Sequence, residues 1–452
     1  MPAPPPELQG THVADSPLDR ALEMMLAGER DSALRWSAAV VKDDPSIASA
    51  LLITARLLAD AARTDAATEA FELAVDRAID AGNLPLAVAA AHDLGKLGRD
   101  SSALLDSIAK AFCADSPRLG DASLPPPPLN SGDDLQPLSS VLTGPALLSK
   151  VTEIVHDAKR AYADEANLED PLIAPLPLFS ALKYEGLRAL IASFEMKTVP
   201  AGEIVIEEGS EGSEAFIVAR GELEVRKHSE NPDEPDMTMA RLTGGALFGE
   251  MALLARAPRY ASVVACRPSI LLVADRFELE KVARKRPDVG SELAAHCRRR
   301  MVANLVRTSP VLLAVDPEER PALVERFETR VFEKGERLTV EGAEPTGFHL
   351  IASGEVSVVK RENGEPFVIA TLGPGHVVGE VALVLRRQAS ADLVAVHPTV
   401  TLHLPRGEFL ALIREHPGIL LRLYLLAVER DEETAMIIEN AVTAVGDDLI
   451  LV

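Results

Sequence analysis

One short stretch of the sequence brings together the residue types that hold a phosphate group. It consists of two runs separated by a short spacer: Phe248, Gly249, Glu250, Met251 and Ala252, followed by Arg259, Tyr260, Ala261 and Ser262. Glycine lets the backbone turn close to a ligand, and the free amides of a helical turn after it form an anion site. Arg259 is a permanent cation whose planar group can donate two parallel hydrogen bonds to a phosphate. Glu250 would repel that phosphate, so we expect it to accept a hydrogen bond from a ligand hydroxyl such as a ribose 2′-OH.

The two runs resemble the phosphate-binding cassette of the cyclic nucleotide-binding domain family. That family has the pattern F-G-E-apolar-A-L, a short variable piece and then P-R-x-A-(S/T), and this sequence reads FGEMAL and PRYAS. The resemblance implies that Glu250 holds the ribose hydroxyl of cAMP or cGMP and that Arg259 binds the cyclic phosphate. It also implies that the backbone amides of residues 249–252, with Ala261 and Ser262, complete the site. Tyr260 is neither the Ser or Thr that favours cGMP in the family nor the Ala common in cAMP sites, which leaves a weak preference for cAMP. A surface strand-turn-helix with a solvated Arg259 is the structural alternative.

The region around this stretch occurs twice in the chain. Residues 178–307 repeat in 308–430, and five glycines keep step: Gly202 with Gly335, Gly209 with Gly342 and Gly221 with Gly354, then Gly245 with Gly375 and Gly249 with Gly379. The offset changes by three residues within the polar stretch 228–236, which predicts a hairpin loop there. Each copy alternates apolar and polar residues in about eight short strands. Helical segments follow, at 277–307 and 406–441. The pattern predicts two antiparallel, jelly-roll-like β-rolls, 178–307 and 308–441, each flanked by helices.

The second copy departs from the cassette pattern. Its first run contains the expected types in Gly379, Glu380, Val381 and Ala382. At a constant offset, however, Arg259 corresponds to Ala389 and Ser262 to Asp392, whose charge would repel a phosphate. A gapped register instead aligns Arg259 with Arg387. We favour the ungapped register, which predicts a degenerate second site that is weak, silent or dependent on a displaced Arg387.

The N-terminal part of the chain reads as helices, so the predicted fold class is multidomain α + β. Residues 15–113 are rich in Ala and Leu, and a weak repeat at a spacing of 34 aligns Gly28 with Ala62 and Asp31 with Asp65. This repeat resembles the helical hairpin of tetratricopeptide proteins. A plain helical bundle is the alternative. A protein partner is expected to bind through these helices.

Three further segments complete the predicted organisation. Residues 1–14 are Pro-rich and are predicted to be disordered. Residues 114–145 contain four consecutive prolines from Pro125 and predict a linker, and 146–177 predict a connecting helix. Residues 442–452 are interpreted as a tail. The break in composition at the linker predicts that the helical domain folds apart from the rolls.

Composition excludes several classes of function. The 452 residues include 46 Lys and Arg but 69 Asp and Glu, giving a net charge of −23, and only 4% are aromatic. Nucleic-acid binding over a broad surface is therefore not expected. No apolar run is long enough to predict a membrane span, and no secretory signal is expected. The three widely spaced cysteines fit a reducing cytoplasm. No metal-ligand, nucleophile–base or Walker motif occurs, so we expect neither an enzyme nor a metal cofactor.

Four functions remain as hypotheses. The first is a cytoplasmic, non-catalytic receptor for cAMP or cGMP that relays binding to a protein partner. The second, a catabolite-activator type transcription factor, needs a DNA-binding domain that the acidic end of the chain does not offer. The third resembles the regulatory subunit of cyclic-nucleotide-dependent protein kinase, although residues 114–177 contain no Arg-Arg pair for an inhibitory segment. The fourth is a scaffold whose rolls bind no nucleotide. The sequence does not predict an oligomeric state.

Overall fold

The computed structural model describes residues 16–120, 135–165, 171–228, 235–250, 253, 258–309, 318, 323, 325–362, 365–421, 423–428 and 430. The chain divides into two compact units. Unit 1 contains Met1–Val205, Phe216–Phe248 and Ser262–Glu292; unit 2 contains Ile206–Ala215, Gly249–Ala261 and Leu293–Val452. The loops that carry the first cassette therefore belong to unit 2, whereas most strands of the first roll belong to unit 1.

The N-terminal part of unit 1 is helical, as predicted. Its helices are α1 (Pro17–Leu26), α2 (Arg30–Asp43), α3 (Ala48–Asp60), α4 (Thr64–Asp80), α5 (Leu84–Lys96), α6 (Ser102–Phe112), α7 (Gly144–Glu165) and α8 (Tyr184–Ile191). The helices α2 and α4 begin 34 residues apart, and the residues that precede them by two, Gly28 and Ala62, both have positive φ. The sequence repeat thus marks equivalent turns in the helical array. Its assignment to the tetratricopeptide type stays a prediction.

The helical region is attached to the first roll by buried charges. Asp19 on α1 is 3% exposed. Its carboxylate accepts a hydrogen bond from Arg220 at 2.7 Å and forms an ion pair with Arg267 at 3.2 Å. Arg56 on α3 bonds Asp93 and also donates to the Thr198 hydroxyl at 3.1 Å. Since buried charges need their partners, these contacts join the helices to the roll in one unit. This differs from the expectation that residues 15–113 fold apart.

The first roll contains the eight expected strands. They are β1 (Glu195–Val199), β2 (Ile204–Ile206), β3 (Glu214–Arg220), β4 (Leu223–Lys227), β5 (Met237–Leu242), β6 (Leu247–Phe248), β7 (Ser262–Ala265) and β8 (Ser269–Asp275). They form two antiparallel sheets, in the orders β1-β8-β3-β6 and β2-β7-β4-β5. Lys227 pairs with Met237 across the predicted 228–236 hairpin. The helices α9 (Arg276–Lys285) and α10 (Pro287–Thr308) follow.

The second roll, in unit 2, repeats this plan. Its elements are β9 (Glu328–Phe332), β10 (Arg337–Thr339), β11 (Gly347–Ser353), β12 (Val356–Glu362), β13 (Glu365–Leu372), β14 (Val377–Val378), α11 (Glu380–Val384), β15 (Asp392–Ala395), β16 (Thr399–Pro405) and α12 (Arg406–Glu415). The sheets run β14-β11-β16-β9 and β10-β15-β12-β13. Met301 and Leu305 of α10 pack in the core of this roll with Phe348 and Leu402. The last turns of α10 therefore help to build the second roll.

Several segment boundaries differ from the predictions. The connecting helix, expected within 146–177, is α7 and ends at Glu165. The predicted linker 114–145 is bonded at both ends, because the Ala114 amide donates to Leu182 O at 2.8 Å and Arg35 donates to Leu142 O at 3.0 Å. The predicted disordered segment 1–14, the four prolines and the tail 442–452 lie outside the described residues. None of the helices within the described ranges is long and apolar enough to cross a lipid bilayer.

Candidate functional site

The first cassette begins with a tight turn at the end of β6. Phe248 ends this strand, is 4% exposed and stacks on Phe216, with the ring centroids 5.2 Å apart. Gly249 has φ +70°, and a Cβ added there would lie 2.9 Å from Arg259 Nη1 and 3.2 Å from the Glu214 carbonyl. Only glycine combines this conformation with this close approach. The Leu253 amide then donates to Glu250 O at 2.9 Å, which closes one turn after the glycine.

Arg259 lies against the same turn. Its Nη1 donates to the Gly249 carbonyl at 2.9 Å and its Nη2 to the Glu214 carbonyl at 2.7 Å. The backbone of Arg259 is bonded in both directions to the loop after β2, with the Gly209 amide at 2.8 Å and the Ser210 carbonyl at 2.9 Å. Gly212 faces the guanidinium so closely that an added Cβ would lie 2.6 Å from Nη2. The planar cation is thus held beside the Gly249 turn.

Glu250 is buried and faces a cation from a distant helix. Its carboxyl group is 3.5 Å from Arg300 Nε on α10, and the residue is 4% exposed. The Cys297 thiol, one turn earlier on α10, donates to the Glu250 carbonyl at 3.9 Å. Burial and then the Glu250 charge raise the pKa of this thiol to about 12, so it stays protonated. The carboxylate can therefore accept from a ligand hydroxyl while Arg300 compensates its charge.

The remaining residues predicted for the first site are placed as follows. Met251 and Ala252 lie outside the described residues. Tyr260 is 41% exposed, whereas Ala261 is buried. Ser262 begins β7 and pairs with Arg226 of β4. The structure therefore brings Gly249, Glu250 and Arg259 together on two neighbouring loops and positions Ala261 two residues after the cation.

The second cassette follows the ungapped register. The Ala389 amide donates to Ala343 O at 2.9 Å, and Gly342 N donates to Ala389 O at 2.8 Å. These bonds repeat those that Arg259 makes in the first roll. In addition, β15 begins at Asp392, the position that corresponds to Ser262 at the start of β7. A methyl group therefore stands where the first cassette has its guanidinium.

The second roll has a pocket at the equivalent place. A cavity of about 160 Å³ is lined by residues that include Gly379, Glu380, Val381, Ala382, Ala389 and Ser390. Gly379, with φ +85°, caps α11. Arg387 is exposed and is not among the lining residues; its backbone amide bonds Ala382 O at 3.0 Å. The displaced cation considered for this site therefore does not line the cavity, and its role there stays a prediction.

Arg430 supplies the cation that lines this cavity. Its Nη1 is bonded to Glu380 Oε1 and to the Val377 carbonyl, the latter at 2.5 Å. Glu380 is 1% exposed, and within the described residues its second oxygen, Oε2, has no hydrogen-bond partner. Burial raises the pKa of Glu380, and Arg430 opposes that shift. The pocket thus holds a carboxylate already matched to one internal cation.

Asp392 has a different role from the repulsion that the sequence suggested. Its Oδ1 accepts a hydrogen bond from the Glu341 amide at 2.8 Å. Its Oδ2 lies 3.7 Å from Arg337 and 3.8 Å from Arg361. The carboxylate is buried and fixes a strand end, and it does not line the cavity.

Sequence reasoning missed Arg300 and Arg430. A run of arginines on a helix, such as Arg298–Arg300, is typical of a solvated face, yet Arg298 donates to Phe327 O at 2.6 Å and Arg300 faces Glu250. A signal was present, because Arg300 and Arg430 are separated by the same 130 residues that separate Glu250 from Glu380. Each roll therefore carries the same glutamate–arginine pair between its cassette and a later helix.

Comparisons with known proteins agree with this architecture. The model of the cyclic nucleotide-binding domain matches residues 196–286 and 329–416. The chain thus contains two cyclic nucleotide-binding domains in tandem.

The chain is also similar to regulatory subunits of cAMP-dependent protein kinase. It is 35% identical to that of Yarrowia lipolytica over 47% of this chain and 53% of the relative, and 29% identical to that of Hypocrea atroviridis over 64% and 59%. It spans little more than half the length of these two relatives. A solved regulatory domain of Toxoplasma gondii protein kinase A with cAMP is 24% identical, with a TM-score of 0.27, over 56% of this chain and 92% of that one.

Proposed function

We propose that this protein is a non-catalytic cyclic nucleotide receptor whose first roll binds cAMP or cGMP. The observation that carries the proposal is the placement of Arg259 and Glu250 on either side of the Gly249 turn. In the bound state Arg259 pairs with the cyclic phosphate, and the amides of residues 249–252, 261 and 262 complete the cradle. Glu250 accepts from the ribose hydroxyl.

We infer that ligand binding reaches the second roll through Glu250. A ribose hydroxyl at this carboxylate changes its interaction with Arg300. The next residue, Met301, packs in the core of the second roll. A change at the ribose therefore acts on α10, and the second roll needs this helix for its own packing. The protein partner that receives this signal is proposed to bind the N-terminal helices.

The second roll is proposed to bind cyclic nucleotides weakly or not at all. A cyclic phosphate carries one negative charge, and burying it without a cation costs several kcal/mol. Ala389 provides no cation, and Arg430 is already bonded to Glu380. The amides of the short α11 would offset only about 0.5–2 kcal/mol of that cost.

A second candidate is an inhibitory regulatory subunit of a protein kinase. The names of the relatives and the order of helices, linker and two rolls favour it. The basic segment nearest to an inhibitory sequence, Lys159-Arg160-Ala161, lies in α7, where Lys159 is bonded to Glu72 at 2.9 Å. This candidate predicts that the chain inhibits a cAMP-dependent kinase catalytic subunit and that cAMP relieves the inhibition. Undiminished kinase activity at saturating chain would exclude it.

Calorimetric titration of the full chain with cAMP and with cGMP tests the receptor function. We expect saturable binding of one equivalent, with 5′-AMP, which lacks the cyclic phosphate, as the matched control ligand. Absence of binding by both cyclic nucleotides at millimolar concentration would refute the receptor and leave the scaffold hypothesis.

A further inference from the structure

The helix α7 occupies an unusual place in the helical region of unit 1. The array runs in sequence from α1 to α6, each helix packing on the next, and α8 continues it by packing on α6. In contrast, α7 follows α6 in the chain but packs on α2 and α4. It therefore covers a surface that earlier helices of the array form.

One face of α7 is buried on that surface. Its buried residues recur at helical spacing: Leu147, Val151, Ile154, Val155 and Ala158. The opposite side carries the exposed pairs Lys150–Glu153 and Arg160–Asp157. The surface thus accepts an amphipathic helix through an apolar stripe.

The part of α4 that faces α7 is strongly acidic. Four carboxylates follow one another at helical spacing: Glu69, Glu72, Asp76 and Asp80. Three of them are matched by α7: His156 is 3.2 Å from Glu69, Lys159 is 2.9 Å from Glu72, and the Tyr162 hydroxyl donates to Asp80 at 3.0 Å. At the end of the helix, Arg77 binds Glu165 of α7 with two bonds of 2.6 and 3.1 Å.

Asp76 is the carboxylate that α7 matches least well. Within the described residues it makes no hydrogen bond or ion pair, although Lys159 and Arg77 lie near enough to act on its charge. Burial, followed by the charges of Asp80 and Glu72, raises the pKa of Asp76 to about 6. A helix with one more cation on this face would compensate the charge of Asp76 more fully.

We propose that the surface of α2 and α4 is a docking site for a basic amphipathic helix of a protein partner, and that α7 is the built-in occupant that keeps it closed. The inference goes beyond the receptor function and holds whether or not either roll binds a nucleotide. Since α7 is tethered, its effective concentration is of the order of millimolar. A partner must therefore bind this surface more tightly than α7 does, or α7 must first be released.

The test uses the full chain and, as the probe, a fluorescein-labelled peptide of residues 144–165, read by fluorescence anisotropy. Val151→Asp places a charge on the buried face of α7 and should release it, whereas Ser149→Asp, on the exposed face, is the matched control. We expect the wild type and the control to bind the peptide at least tenfold more weakly than Val151→Asp. Equal affinity in all three proteins would overturn the proposal.

A milder variant decides the question if Val151→Asp does not fold, as judged by circular dichroism. Lys159→Glu replaces the ion pair between Lys159 and Glu72 with two carboxylates that repel each other, and it places no new charge in the apolar stripe. It should also expose the surface and increase peptide binding at least tenfold. A probe with Lys159→Glu should bind this folded variant more weakly than the native probe, and failure of either result would show that α7 is a permanent part of the fold.

Discussion

Replacing Arg259 with alanine tests the first site most directly. The side chain makes two bonds of 2.9 and 2.7 Å to the carbonyls of Gly249 and Glu214. Removing a charged member of a desolvated pair costs about 2–5 kcal/mol of binding free energy. Because Arg259 is only partly buried, we expect about 3 kcal/mol, which is roughly two orders of magnitude in affinity. Losing the two carbonyl contacts should also reduce the free energy of unfolding by about 1–3 kcal/mol.

The assay is calorimetric titration of the folded Arg259→Ala chain with cAMP and cGMP, after circular dichroism has verified its fold. Arg241→Ala is the control, since Arg241 is 54% exposed and pairs with Glu222 and Glu224 away from the cassette. Arg259→Lys should give an intermediate loss, because an ammonium keeps the charge but not the planar fork. An affinity for Arg259→Ala equal to that of the wild type would refute the assignment of the phosphate site.

Three further predictions concern other parts of the chain. The wild type should bind one tight equivalent of cyclic nucleotide, and Ala389→Arg should raise the stoichiometry toward two; two equal tight sites in the wild type would contradict the account of the second roll. His349 is 5% exposed, and burial, followed by the neighbouring His403, lowers its pKa to about 3. Its unfolded form gains a proton below about pH 6.5, so stability should fall as the pH drops from 6.5 toward 3, by up to about 1.4 kcal/mol per unit; His349→Phe should flatten this slope in urea denaturation at several pH values. Asp19→Ala should lower the free energy of unfolding by about 3–5 kcal/mol, because it leaves Arg220 and Arg267 without their buried partner; an unchanged urea midpoint would show that the pair does not stabilise unit 1.

The repeat made much of the two rolls predictable. All five glycine pairs have positive φ in both copies, for example +70° at Gly249 and +85° at Gly379. Such turns depend on the local backbone conformation, and a glycine at the turn position therefore predicts them directly. The return of α7 to α2 and α4 was not predictable in this way. It depends on contacts between residues that are far apart in the sequence, such as Lys159 and Glu72. No local pattern predicts which surface an amphipathic helix will cover.

The candidate site shows the same division. The cassette residues were recognised because their types and spacing are themselves the signal. Arg300 was not, since a cluster of arginines on a helix does not reveal which of them turns toward a buried carboxylate. Asp392 was placed at the correct strand position, but position alone did not reveal that its carboxylate bonds the Glu341 amide.

The position of the first cassette loops within unit 2 matters for how this protein can be divided. A fragment that stops where the first domain match ends, at residue 286, retains Glu250 and Arg259 but lacks Cys297 and Arg300. The buried carboxylate in such a fragment would lose its cation, and nucleotide affinities measured on it would describe an altered site. The shortest piece that keeps these neighbours extends through α10, whose last turns need the second roll for their own packing. We therefore expect loss of the second roll to weaken the proposed nucleotide binding by the first roll, even if the second roll binds no nucleotide itself.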